Sequence, residues 1–276
     1  MSLSAVSALR VVSVLLALSI ALASIELLLV RRDFGQAGVF SWRVIRDDVA
    51  ALPGPLRALL DGLLGDRPFV ALLVLQLGLA LLLPWSTHAL VPLGLLCTGL
   101  CVCVRFRGTY NGGSDAMALV VVLGLLVARL GPPGSHDDLA FGSPWQRAGL
   151  GYIAAQLVLS YFLAGLAKLR EPRWRRGQAL PRLLRAHQYA VPAALQRALA
   201  SPVRALPASW LVMLFECCFP AALWLGPEGC AAVLTCGMTF HLLNAAALGL
   251  NRFFWAWLAA YPALLFWSGI LAGKDP

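Results

Sequence analysis

Residues 149–169 read GLGYIAAQLVLSYFLAGLAKL, an apolar run whose one ionisable side chain, Lys168, sits at its far end. A helix needs about 20 such residues to cross the hydrocarbon layer, so this stretch predicts a transmembrane helix rather than a core helix of a soluble domain. Working outward, comparable runs lie at 9–30, 68–85, 88–106, 115–131, 208–226, 229–249 and 252–271. The expectation is an all-α, polytopic membrane helix bundle of about eight transmembrane helices, forming a single domain over 1–276. Composition agrees: the 276 residues are 60% hydrophobic and only 13% charged, which excludes a water-soluble enzyme. The first run, 9–30, is longer than the apolar core of a secretory signal and ends at Arg31 and Arg32 without a small-residue cleavage site. It reads as a retained helix.

Two connections are longer than the rest, 31–67 and 170–207. The second interleaves Arg170, Arg173, Arg175, Arg176, Arg182, Arg185, Arg197 and Arg204 with leucines and is broken by prolines. Both are read as interfacial loops with short amphipathic helices. The remaining breaks are short: Ser86-Thr87, Gly226-Pro227-Glu228 and Asn251-Arg252. Alternating the loops puts most arginines, from Arg31 to Arg252, on one side of the membrane, with Arg10, Arg129, Arg147 and Lys274 on the other. The crowded side is then cytoplasmic. The net charge of +9 is accordingly a membrane signal, and no nucleic acid partner is expected. The seven cysteines fall in or beside apolar runs and are read as packing residues. No disulfide framework and no metal site are predicted.

Ionisable groups inside spans cost at least about 2.5–3.5 kcal/mol near the centre, so each one invites a functional reading. Lys168 stands out because this chain uses arginine for ordinary charge, and only a lysine can lose its proton when desolvated. The alternative is a helix-end lysine reaching the headgroups. Tyr161 lies seven residues earlier on the same helix face, with Ala164 and Gly165 between them leaving room for another helix. Glu216 is expected to pair with Lys168 or His241, or to bond a backbone carbonyl as helix glue. His241 and Asn244, at i and i+3, form a polar stripe facing the bundle interior. In Tyr110-Asn111-Gly112-Gly113-Ser114-Asp115, Ser114 suits a helix cap, while Asn111 is a candidate for orienting a substrate. Glu26 is placed near Arg31 and Arg32, reaching the interface. Its functional weight is small.

The stretch Tyr161-Phe162-Leu163-Ala164-Gly165-Leu166-Ala167-Lys168-Leu169, followed by Trp174 and Gly177, resembles the motif around the proposed catalytic lysine of vitamin K-dependent γ-glutamyl carboxylases. Phe240-His241 with Asn244, Gly249, Phe253 and Ala259-Ala260-Tyr261-Pro262 is similar to that family's last membrane helices. The Asn111 loop resembles its loop with an aromatic, Asn and Ser. The bacterial relatives call this region the HTTM domain. The resemblance implies a reduced, vitamin K-like quinone as cofactor, Lys168 as the initiating base and His241 as a quinone-site or proton-transfer residue. Asn111, Tyr161, Glu216 and Asn244 would then line the substrate site. It also implies a multi-pass protein of the bacterial inner membrane, in contact with lipids and acting on a secreted peptide or protein. Two departures stand against the resemblance. Gly113 occupies the place of a family His, and the large extramembrane domain of the carboxylases does not follow.

Two functions of different class therefore compete. One is a carboxylase-like, quinone-dependent lyase or oxygenase. The other is a non-enzymatic membrane factor for maturation or export of a secreted peptide, in which Lys168 only snorkels and Glu216 and His241 only glue helices. An ion or proton transporter is disfavoured by the scarcity of intramembrane ionisable groups and the lack of an inverted repeat.

Overall fold

A computed structural model of the chain describes residues 3–35, 38, 40–106, 112–131, 141–186 and 191–273. All regular structure among them is helical. The principal helices are α1 (Ala5–Leu29), α2 (Gly54–Leu64), α3 (Asp66–Leu82), α4 (Leu90–Phe106), α5 (Gly112–Ala128), α6 (Pro144–Arg170), α7 (Pro202–Cys218), α8 (Gly226–Leu248) and α9 (Asn251–Leu271). Each of the eight apolar runs falls on one of these helices. Five segments are long and apolar enough to cross a membrane: α1, α6, Pro202–Leu223 (α7 with the 3₁₀ turn that extends it), α8 and α9. The helices α4 and α5 are apolar but only 17 residues long, so the expected count of eight spans exceeds what length and composition establish.

Local chemistry sets the helix starts. Ser4 accepts from the Ser7 amide ahead of α1, and Ser143 and Gln146 form a reciprocal capping box ahead of α6. Gly249, in the left-handed conformation at φ 70°, ends α8, so that break falls two residues before the expected Asn251-Arg252. The break before α8 also comes earlier, at Trp224-Leu225, because Pro227 is accommodated in the helix's first turn, where its missing N–H costs no bond. Ser114 is not the cap it resembles: α5 already begins at Gly112, which carries Ser114 into the first turn, buried.

Helix α9 is the hub, packing against α1, α5, α6 and α8. A continuous apolar core runs from Val12 and Leu16 on α1 through Val121, Ile153 and Leu157 to Ala260 and Leu264 on α9. Exposed leucines such as Leu211 and Leu243 lie on the outside of α7 and α8, the surface expected of helices bathed in lipid tails. Trp85, Trp145 and Trp224 are exposed in or beside the links at one end of the bundle, as in an interfacial aromatic belt.

The arginine side of the bundle is less superficial than its sequence suggests. Arg105, at the end of α4, is fully buried, donates to the Phe34 carbonyl at 3.2 Å and lies over the rings of Trp42 and Phe69. It fastens the 31–49 segment to the bundle through a second cluster containing Phe34, Trp42, Ile45, Phe69 and Phe106. Glu26 corrects the sequence reading in the same way. It does not reach out beside Arg31 and Arg32. Its carboxylate accepts from Arg252 Nε at 2.5 Å and from Asn251 Nδ2 at 2.6 Å, across more than 220 residues of chain. The tight packing of α1 on α9 brings these groups together, and a buried guanidinium binds a carboxylate more strongly than solvated arginines can. Glu26→Ala should therefore lower stability by ~1–2 kcal/mol, the half-exposed carboxylate discounting the larger cost of breaking a buried pair. Thermal unfolding in lipid discs checks this; an unchanged midpoint would show that the clamp contributes nothing.

Candidate functional site

Helix α6 carries the site, because Ser160, Tyr161, Gly165 and Lys168 fall within a little over two turns on related faces. Gly165 sets the depth of the α6–α7 crossing. A Cβ there would stand 2.8 Å from both the Cys217 amide nitrogen and the Cys217 Sγ, and 2.9 Å from Glu216 Cβ. That approach brings the Lys168 amine onto Glu216, where Nζ donates to both carboxylate oxygens, at 2.8 Å to Oε1 and 2.7 Å to Oε2. Glu216 is nearly inaccessible, while Lys168 keeps about a quarter of its side chain exposed and lies over the Trp174 ring at 5.6 Å. Of the two partners expected for Glu216, Lys168 is the one found.

One helical stretch deeper is a second polar centre. The Tyr161 hydroxyl is 2.7 Å from the Tyr261 hydroxyl and 2.9 Å from His241 Nε2, joining α6, α9 and α8 in one hydrogen-bonded chain. With Nε2 bare, Tyr161 donates to His241 and Tyr261 donates to Tyr161. With a proton on Nε2, the direction reverses. Gly237 makes room for this junction, since a Cβ on it would come within 2.6 Å of the Tyr261 hydroxyl and 2.9 Å of that of Tyr161. Aromatic rings enclose the chain: Phe219 stacks on Tyr161 at 3.8 Å, Phe215 meets Tyr161 edge-on, and Trp257 lies 5.2 Å from His241. The Trp257 indole donates to Ser160 Oγ at 3.3 Å.

The structure thus joins the predicted residues into two groups. Lys168 with Glu216 form one; Tyr161 with His241 form the other, and they lie about 10 Å apart by the rise of seven helical residues. Lys168 and His241, the two expected catalytic residues, share no hydrogen bond. Asn244 is half-buried on α8 and bonds to neither group. Asn111 lies outside the described residues. Sequence reasoning noted Tyr261 in the Ala259-Ala260-Tyr261-Pro262 stretch without giving it a role in the site, and did not place Trp257 or Ser160 there. A signal for Tyr261 exists, since it is a lone hydroxyl among Ala259, Ala260, Pro262 and Ala263 on the most buried span.

The site thus offers an amine paired with a carboxylate, an imidazole and two phenols, enclosed by aromatic rings. At Gly113, where the resembling family carries His, a Cβ would meet the Phe253 ring at 2.8 Å, so a side chain there would require that ring to move. Among the described residues, no cluster of His, Cys, Asp and Glu is arranged to hold a metal ion.

No curated protein and no solved structure matches the chain. The site's own helices do match a known family. Residues 144–268, from the start of α6 almost to the end of α9, match the family model of the HTTM domain, so the second half of this multi-pass helical membrane protein is similar to that domain.

Proposed function

We propose that this protein is a carboxylase-like membrane enzyme in which the Lys168–Glu216 pair acts as the base toward a reduced quinone. The observation that carries the reading is the double hydrogen bond from the Lys168 amine to a nearly inaccessible carboxylate, inside the HTTM-matched residues. Proton transfer from the amine to the carboxylate across this short contact would give a neutral amine beside a neutral acid, a form that carries no charge in the bundle. That neutral amine is the species that can accept a hydroxyl proton. Glu216 holds the proton that leaves the amine neutral, and the proton the amine then takes from the hydroxyl is released through the exposed part of the Lys168 side chain. The Tyr161–His241–Tyr261 chain holds and exchanges a second proton without net charge. A bound hydroquinone would supply the reducing equivalents with which O₂ gives a quinone epoxide and water. A secreted peptide is the proposed proton donor to the base so generated, and the bacterial inner membrane is the proposed location.

The competing reading, a non-enzymatic factor for peptide maturation or export, treats the same pair as an interhelical bolt. Purified protein in lipid discs, given a reduced naphthoquinone and O₂, should form epoxide detectable by mass spectrometry. Lys168→Arg, which keeps the charge but cannot give it up, should lower the yield at least about tenfold. Absence of epoxide from the wild type, or undiminished epoxide from the variant, would overturn the proposal.

A further inference from the structure

A narrow cavity opens among α1, α3, α4, α5 and α9, and none of its lining residues belongs to the Lys168 or Tyr161 groups. Its polar lining comprises Ser19, Gln76, Ser114, Asp115 and Arg252. Gln76 is only 8% exposed, yet its Oε1 has no hydrogen-bond partner among the described residues. An amide oxygen buried in a membrane bundle without a donor is costly, so a donor or a cation is the natural complement. Among the lining residues Arg252 offsets the charge of Asp115, and its guanidinium is engaged by Glu26 and by the Ala23 carbonyl. The cavity wall is rich in oxygen acceptors, from Asp115, Gln76, Ser19 and Ser114.

We infer that this cavity binds a monovalent inorganic cation of about the size of sodium. Its carboxylate, amide and hydroxyl oxygens are the ligands that hard cations select. The space of about 40 Å³ holds about three or four water-sized groups at roughly 10–15 Å³ each, which suits an ion with residual waters and is too small for a quinone ring. Because the ion would sit where α1, α3, α5 and α9 converge, its binding tightens the half of the bundle that lies outside the HTTM match around the hub helix of the half that lies within it.

The test uses the full chain in lipid discs, unfolded thermally in sodium chloride and in N-methyl-D-glucamine chloride at equal ionic strength. A ligand that binds only the folded state raises the midpoint with its concentration, so sodium should give a saturable increase of ~3–5 °C over the organic cation. Asp115→Asn and Gln76→Leu should each remove most of that increment, and Glu216→Gln, in the other site, should keep it. Direct binding of radioactive sodium to the wild-type protein provides a measure that does not depend on any variant folding. Equal midpoints in the two salts with no retained sodium, or a sodium increment that survives both Asp115→Asn and Gln76→Leu, would overturn the assignment.

Discussion

Glu216→Gln should lower epoxide formation about 10²–10⁴-fold, the usual worth of a positioned acid–base group, while moving the unfolding midpoint only slightly. The substitution is close to isosteric. Its amide oxygen can still accept one bond from Lys168 Nζ, so α6 and α7 stay joined where Gly165 brings them together. What is lost is a group able to take the lysine's proton. With no carboxylate to take that proton, the pair loses the route by which the amine becomes a base. If Glu216 is only a bolt, the variant should be almost silent, since one good hydrogen bond survives. The measurement is single-turnover epoxide formation alongside thermal unfolding. Unchanged turnover and midpoint would mark a bolt, and loss of turnover alone marks proton transfer.

The pairing behind that prediction was half legible in the sequence. A lysine in an arginine-using chain and a glutamate inside a span each declare themselves by their cost in hydrocarbon, and such groups find one another. The helices were legible for the same reason, because backbone polar groups in lipid leave few alternatives to helix. The membership of the second centre was not. Tyr161 and Tyr261 are 100 residues apart, and Tyr161 and His241 are 80 apart. Periodicity places each on a helix face and is silent on which faces meet. Glu26 shows the converse error. Local spacing favoured Arg31 and Arg32 as its neighbours, yet those arginines are exposed, and the carboxylate turns to Arg252 on the helix packed beside it. Arg105 was read as one more orientation signal, whereas its guanidinium holds a buried aromatic cluster together. Charge pattern identifies the side of the membrane on which an arginine lies. It does not distinguish a solvated side chain from one that organises a core.

Gly165→Val should have the largest effect on stability of any single change in the site. Its first added atom already falls 2.8 Å from the Cys217 backbone nitrogen, and a backbone atom on a packed helix cannot swing aside as a side-chain terminus can. Relief requires α6 and α7 to separate. The cost should reach the upper end of overpacking penalties, about 3 kcal/mol or more, and the separation would pull Lys168 from Glu216 as well. Gly237→Ala makes a useful comparison. There the obstacles are the tyrosine hydroxyls, which can shift by breaking their mutual 2.7 Å bond, so the helices can stay in place while the hydrogen-bonded chain opens. Unfolding midpoints in lipid discs should therefore fall much further for Gly165→Val than for Gly237→Ala. Cross-linking between cysteines placed on α6 and α7 should weaken only for the former. A Gly165→Val protein as stable as wild type would mean that the close α6–α7 crossing, and with it the lysine–glutamate pair it creates, is not how the folded protein is held.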